Sequence, residues 1–105
     1  MAITQVLTDT FKQDCLDGAQ NLGSSGNTLK IALYTSSATL GATTSAYSAT
    51  NEVSGTGYTA GGETLSSQAV AYDTSNNVAF FDAADPSWTS ATITARGALI
   101  YNNSK

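Results

Sequence analysis

The chain has 105 residues, four basic and eight acidic, with no histidine and one cysteine. Its scattered cations form no positive patch, so we expect no nucleic-acid partner. One cysteine excludes an internal disulfide, and the lack of histidine removes the usual zinc-ligand sets and histidine-based catalytic triads, so no metal or other cofactor is expected.

The length fits a single domain over residues 1–105, because no shift in composition marks a second one. A domain this small buries a limited share of its surface, so we expect a thin stability margin and important partner contacts. The N-terminal residues lack a basic and apolar leader, and no run approaches the roughly 18 apolar residues of a membrane span. The expectation is a soluble protein made in a reducing cytoplasm, with no membrane partner.

From residue 4 to about residue 17, the apolar residues have the spacing of a helix. Apolar residues recur at every fourth position on one face of this helix, at Ile3, Leu7, Phe11 and Cys15. Thr4 fits the N-cap, and Gly18 is a stop signal. The pattern predicts one amphipathic helix that packs on a sheet. Cys15 is expected to be a small buried apolar residue, since no basic cluster lies nearby in the sequence to activate its thiol.

The most strand-like run is residues 28–36. Its side chains alternate between two faces, with Leu29, Ile31 and Leu33 on one and Lys30, Ala32 and Tyr34 on the other. This period of two is typical of a half-buried strand. Residues 91–101 repeat the alternation, and we expect the two runs to be neighbours in one sheet of a β domain that spans residues of about 28–102.

A long segment with few large side chains, residues 38–58, follows the first strand. Connections of this length are often binding loops or become ordered on a partner. The alternative is a surface loop with a short strand near Val53. Four glycines within residues 54–63 then predict a turn or bulge between short strands.

Two alternating runs, residues 65–73 and 77–82, predict a β-hairpin joined through Thr74, Ser75 and Asn76. Phe80 and Phe81 are adjacent, so they point to opposite faces and both faces are expected to be covered. Pro86 then ends the pattern. Trp88 is interpreted as a lid on the core, with a ligand-stacking platform as the alternative.

The predicted fold is mainly β: a single antiparallel β-sandwich or flattened barrel of about five to eight short strands, with one N-terminal α-helix. Asp82 and Asp85 could form a glycosidase-like acid pair, and with Asp73 and nearby asparagines they could supply oxygen ligands for calcium. Turn chemistry on a solvated face explains these acids better. We therefore expect no catalytic residue and no enzyme activity.

Four stretches carry a resemblance to a family of small virion proteins of tailed bacteriophages. They are Phe11-Lys12-Gln13, residues 30–41 (KIALYTSSATLG), residues 51–62 (NEVSGTGYTAGG) and residues 88–101 (WTSATITARGALIY). The resemblance spans nearly the whole chain and departs from the family at residues 18–27 and 68–82.

The resemblance implies a non-enzymatic structural component of the virion. We favour a capsid decoration or cement protein that binds the major capsid protein lattice as a homo-oligomer or in many symmetric copies. The alternatives are a tail or neck component, or a small receptor- or glycan-binding module on the tail. Residues 38–58 and the N-terminal segment are expected to contact partners. The candidate interface residues are Tyr34, Tyr47, Val53, Tyr58 and Trp88.

Overall fold

The chain is mainly β, with one short helix and two separate antiparallel sheets, in a computed structural model that describes residues 5–104. In chain order the elements are α1 (Asp9–Leu16), β1 (Leu29–Tyr34), β2 (Glu63–Thr64), β3 (Ala69–Asp73), β4 (Val78–Asp82) and β5 (Gly97–Asn102). The first sheet has the strand order β2-β1-β5, and the second is the two-stranded β3–β4 ribbon. The predicted mainly β class is confirmed.

The central strand is β1, as its strong alternation predicted. It pairs with β5 over its full length, with Ile31 opposite Ile100 and Tyr34 opposite Gly97, so the predicted neighbours are confirmed. The last strand is shorter than residues 91–101, because its first half leaves the sheet and makes one isolated bridge, Thr56 to Thr92.

Both faces of β1 are covered, so the expectation of a half-buried strand is wrong. Ala32 and Tyr34 are buried on one face, where the Tyr34 hydroxyl donates to Ser48 O at 2.7 Å. Leu29 is buried on the other face. There the neighbouring Asn102 amide donates to Gln20 and Asn27 oxygens at 2.6 and 2.9 Å. The irregular segments before and after β1 therefore supply the covering layers.

The helix differs from its prediction in position and in packing. It begins after Thr8, whose hydroxyl caps Phe11 N at 3.3 Å, and the proposed cap Thr4 lies outside the described residues. No residue of α1 is buried and the helix contacts no strand. Cys15 is exposed, which corrects its predicted burial. The helix does not pack on the sheet because the segment around Ser48 already lies over the face that carries Tyr34.

The predicted hairpin is confirmed as the β3–β4 ribbon, whose two strands are joined by a turn over residues 74–77 with Asp73 opposite Val78. The ribbon contacts neither α1 nor the three-stranded sheet. The expectation that both faces are covered is wrong for Phe80, which is 47% exposed, while Phe81 is half-buried. The ribbon therefore stands apart from the small core.

Candidate interaction surface

Large apolar side chains lie on both faces of the β3–β4 ribbon. Residues directly opposite each other in an antiparallel pair share a face. Val70 and Tyr72 therefore lie on one face, and Val78 and Phe80 lie on the other. All four are exposed, Tyr72 most of all at 76%. The ribbon therefore has no polar face of the kind that a solvated strand normally shows.

The chain as a whole exposes more surface than its mass requires. Folded monomers of 10.7 kDa expose about 5,500 Å² by the usual scaling with mass. This chain exposes 7109 Å². Its radius of gyration is 14.6 Å, where about 13 Å is typical of this length. The chain thus exposes roughly 1,600 Å² more than a typical compact monomer of its mass.

A carboxylate holds the long loop against the first sheet. Glu52 Oε1 accepts the Tyr47 hydroxyl at 2.5 Å, and Glu52 Oε2 accepts the Tyr58 hydroxyl and the Gly61 N–H, the latter at 2.8 Å. Three donors on one carboxylate form a charge-assisted network, which is stronger than neutral hydrogen bonds. Since these donors come from separate parts of residues 47–61, Glu52 ties the loop into one unit.

Tyrosines connect this Glu52 network to the strands. The Tyr58 hydroxyl also accepts the Leu33 N–H at 3.0 Å. Tyr47 stacks on Tyr101, with ring centroids 4.7 Å apart, and the Tyr101 hydroxyl donates to Gly61 O at 2.7 Å. Two sheet residues, Leu33 and Tyr101, thus contact the loop directly.

The network keeps its tyrosines protonated. The hydrogen bond to Glu52, followed by burial, raises the pKa of Tyr47 well above its ordinary value. Burial and then the hydrogen bond to Glu52 raise the pKa of Tyr58 to about 12. Burial also raises the pKa of Tyr34 and of Tyr101. These hydroxyls therefore stay protonated to a higher pH than an ordinary tyrosine hydroxyl.

The five predicted interface residues fall into two groups. Tyr34 and Val53 are 2% and 5% exposed, so neither presents a surface that a partner could contact. Tyr47, Tyr58 and Trp88 are half-buried. Tyr47 and Tyr58 meet at Glu52, and Trp88 lies against Tyr58 with ring centroids 6.0 Å apart. The hydroxyls of Tyr47 and Tyr58 are already engaged by Glu52, so only the rings of these two tyrosines remain for a partner.

The sequence interpretation missed the exposed apolar residues of the ribbon. Both ribbon strands carry apolar residues at successive positions, as in the run Val78-Ala79-Phe80-Phe81. A strand of that kind is usually buried on both faces. That signal indicated covering on both sides, and the structure shows that residues 5–104 do not supply it.

Two of the acidic residues considered for catalysis or calcium, Asp73 and Asp82, accept hydrogen bonds from neighbouring residues. Asp73 accepts Ser75 N at 2.9 Å and the Asn76 amide at 2.7 Å, and these bonds, the Asn76 amide first, lower the pKa of Asp73. Asp82 accepts Ala83 N at 2.9 Å, and Asp85 is exposed. Among residues 5–104, no three His, Cys, Asp or Glu side chains come together as metal ligands would.

Comparison of the chain with protein-family models, curated proteins and solved structures found no match. Within the described range, no helix combines the length and the apolar character that crossing a bilayer requires.

Proposed function

We propose that this chain is a non-enzymatic structural subunit of a bacteriophage virion that packs against other virion proteins. The observation that carries the proposal is the β3–β4 ribbon, which exposes Val70, Tyr72, Val78 and Phe80 on its two faces. The phage setting is supported by the resemblance described for residues 30–41, 51–62 and 88–101.

An isolated two-stranded ribbon is marginally stable in water. Among residues 5–104, this one contacts no other helix or strand, and only loop segments adjoin it. A partner that covers Tyr72 and Phe80 removes apolar surface from water, which favours association by about 25 cal/mol for each Å². A partner that binds only the folded chain also stabilises that fold by mass action. The ribbon is therefore expected to be more stable within an assembly than in the free chain.

The amount of exposed surface fits this role. A standard interface takes about 800 Å² from each partner, and obligate interfaces take more. The roughly 1,600 Å² by which the chain exceeds a typical monomer falls in the obligate range. We further propose that the two sheets belong to an antiparallel sandwich or flattened barrel that is closed by partner contacts. The covering of both faces of β1 supports this closure.

Within the virion we favour a capsid decoration or cement protein bound to the major capsid protein lattice. A small acidic chain with a projecting apolar ribbon suits binding in many symmetric copies, each of which stabilises the lattice that it binds. Tyr47, Tyr58 and Trp88 lie at the half-buried margin of the loop and are proposed as secondary contacts. The rivals are a tail or neck component and a receptor- or glycan-binding module on the tail.

Quantitative mass spectrometry of purified particles from the encoding virus separates these roles. A decoration protein is expected in hundreds of copies per particle. A copy number as low as that of a tail ring would indicate a tail component instead. Binding of the purified chain to host cells or glycans would favour the receptor module. Absence of the chain from the particles would contradict the virion proposal altogether.

A further inference from the structure

β5 forms an open outer edge of the three-stranded sheet. One side of β5 pairs with β1 along Gly97–Asn102. Within residues 5–104 no strand pairs with its other side. Unpaired edges of this kind can accept a strand from another chain.

The backbone groups on the open side belong to alternate residues. Asn103 donates its N–H to Thr28 O at 2.8 Å, which fixes the hydrogen-bonded positions of the ladder between β5 and β1. Counting back from Asn103, every second residue points its N–H and C=O toward β1. Ala98 and Ile100 fall between these residues, so their N–H and C=O point away from β1. These groups bond to no other part of the described chain.

The edge carries none of the usual protection against strand addition. Edge strands are commonly guarded by charged side chains or proline. Gly97–Asn102 contains neither. The side chain of Ile100, at the middle of the open edge, is 55% exposed. Among residues 5–104 the edge is therefore uncharged, largely apolar and not paired with another strand.

We propose that β5 pairs antiparallel with β5 of a second copy, so that the two three-stranded sheets become one six-stranded sheet across a two-fold axis. A neutral edge favours self-pairing, because no like charges meet between Gly97 and Asn102. The chain also has surface to contribute, since its excess of roughly 1,600 Å² is larger than the about 800 Å² that a standard interface takes from each partner.

The outward backbone groups define the register of this dimer. Only residues whose N–H and C=O point outward can form the new hydrogen-bonded pairs. A two-fold axis at Ile100 therefore places Ile100 opposite the partner's Ile100, and Ala98 opposite Asn102 of the partner subunit. The Cα atoms of the two Ile100 residues then lie about 5.5 Å apart, whereas those of the two Ala98 residues lie about 14 Å apart.

This inference goes beyond the proposed function, because it adds a contact between two copies at β5 to the contacts that the ribbon is proposed to make with other virion proteins. The two can fail separately. A chain that is monomeric when pure yet abundant in virions removes the inference and leaves the function. A chain that dimerises through β5 but is absent from virions removes the proposed function and leaves the inference.

Thiol crosslinking tests the register. In a Cys15→Ser background, Ile100→Cys is compared with Ala98→Cys, using a short bifunctional thiol reagent and the full chain. Both sites are exposed, so neither substitution disturbs the core. We expect a crosslinked dimer from Ile100→Cys in at least about tenfold greater yield than from Ala98→Cys, because only the first pair is within reach. Equal yields, or a greater yield at Ala98, would overturn the register.

Sedimentation equilibrium over a range of concentrations tests the edge itself. Ile100→Lys places two like charges opposite each other and should raise the dimer dissociation constant at least about tenfold. Leu16→Lys is the control, since Leu16 is 90% exposed but lies on α1, away from both sheets. It should leave the dissociation constant unchanged. Circular dichroism confirms that each variant is folded. A monomeric wild-type chain, or equal effects of the two lysines, would overturn the proposal.

Discussion

The Tyr58 hydroxyl takes the position of a strand carbonyl beside Leu33. It accepts the Leu33 N–H at 3.0 Å, on the side of β1 that faces away from β5. β2 pairs with β1 only at Lys30 and Ile31, so it ends before it can reach Leu33. A side chain from a loop thus completes the edge that the short strand leaves open.

Replacing Tyr58 with phenylalanine leaves this backbone donor without its acceptor. An unsatisfied buried donor costs about 1–3 kcal/mol, so we expect Tyr58→Phe to lower the free energy of unfolding by that amount. Urea denaturation measures the loss. Tyr72→Phe is the control, because Tyr72 is 76% exposed and should have almost no effect. Equal effects of the two substitutions would contradict the role assigned to Tyr58.

Glu52→Gln tests the carboxylate that receives three donors. The amide keeps the shape of the side chain but loses the charge, so we expect a loss of about 1–3 kcal/mol in the free energy of unfolding. Glu63→Gln, at an exposed position of β2, is the control and should change stability by less than about 0.5 kcal/mol. A neutral result at Glu52 would mean that the network does not hold the loop.

Stability is expected to fall at alkaline pH. The pKa of Tyr58 is about 12 in the folded chain and near 10 when unfolded, so the folded chain holds the proton more tightly. This contribution is fully present below about pH 10 and is lost as the pH rises toward 12. The ultraviolet absorbance of phenolate, followed with pH, measures the titration.

The same titration in Glu52→Gln provides the control for the cause of this shift. The hydrogen bond to Glu52 is the main cause of the raised pKa of Tyr47, so the titration midpoint of Tyr47 should fall in the Glu52→Gln variant. If all the tyrosines of the wild-type chain titrated near their ordinary value, the tyrosine network described here would be contradicted.

Gly62 sits where the loop approaches β1 most closely. Its φ is +81°, and a Cβ there would lie 1.8 Å from Ile31 O. We expect Gly62→Ala to cost at least about 1–3 kcal/mol from the backbone strain alone, with the clash adding to it. Gly41→Ala is the matched control, since nothing lies within 4 Å of its Cβ position and it should be neutral or slightly stabilising. Thermal unfolding of both variants measures the difference, and similar melting temperatures would contradict the close approach.

The sequence predicted the parts of the fold that depend on local alternation. β1, its pairing with β5 and the hairpin all follow from the period of two in residues 28–36, 91–101 and 65–82. Local patterns do not show which faces other segments cover. The apolar spacing of the helix therefore predicts that it packs on the sheet, although a segment around Ser48 lies there instead.

The bonds that join the Glu52 network to the sheet could not be predicted, because they link residues that are distant along the chain. Leu33 and Tyr58 lie 25 positions apart, and Gly61 and Tyr101 lie 40 apart. No periodicity links such residues, and Glu52 stands in the sequence as one of several acids. The aromatic residues could be recognised as important, but their role in the chain's own core could not be separated from a role at an interface.

The central claim, that the β3–β4 ribbon is covered in an assembly, is tested most directly by hydroxyl-radical footprinting of intact virus particles. Both Tyr72 and Phe80 are expected to be oxidised readily in the free chain, because they are 76% and 47% exposed. The account predicts that both side chains are strongly protected in the particle. Oxidation at the same rate in the particle as in the free chain would contradict it.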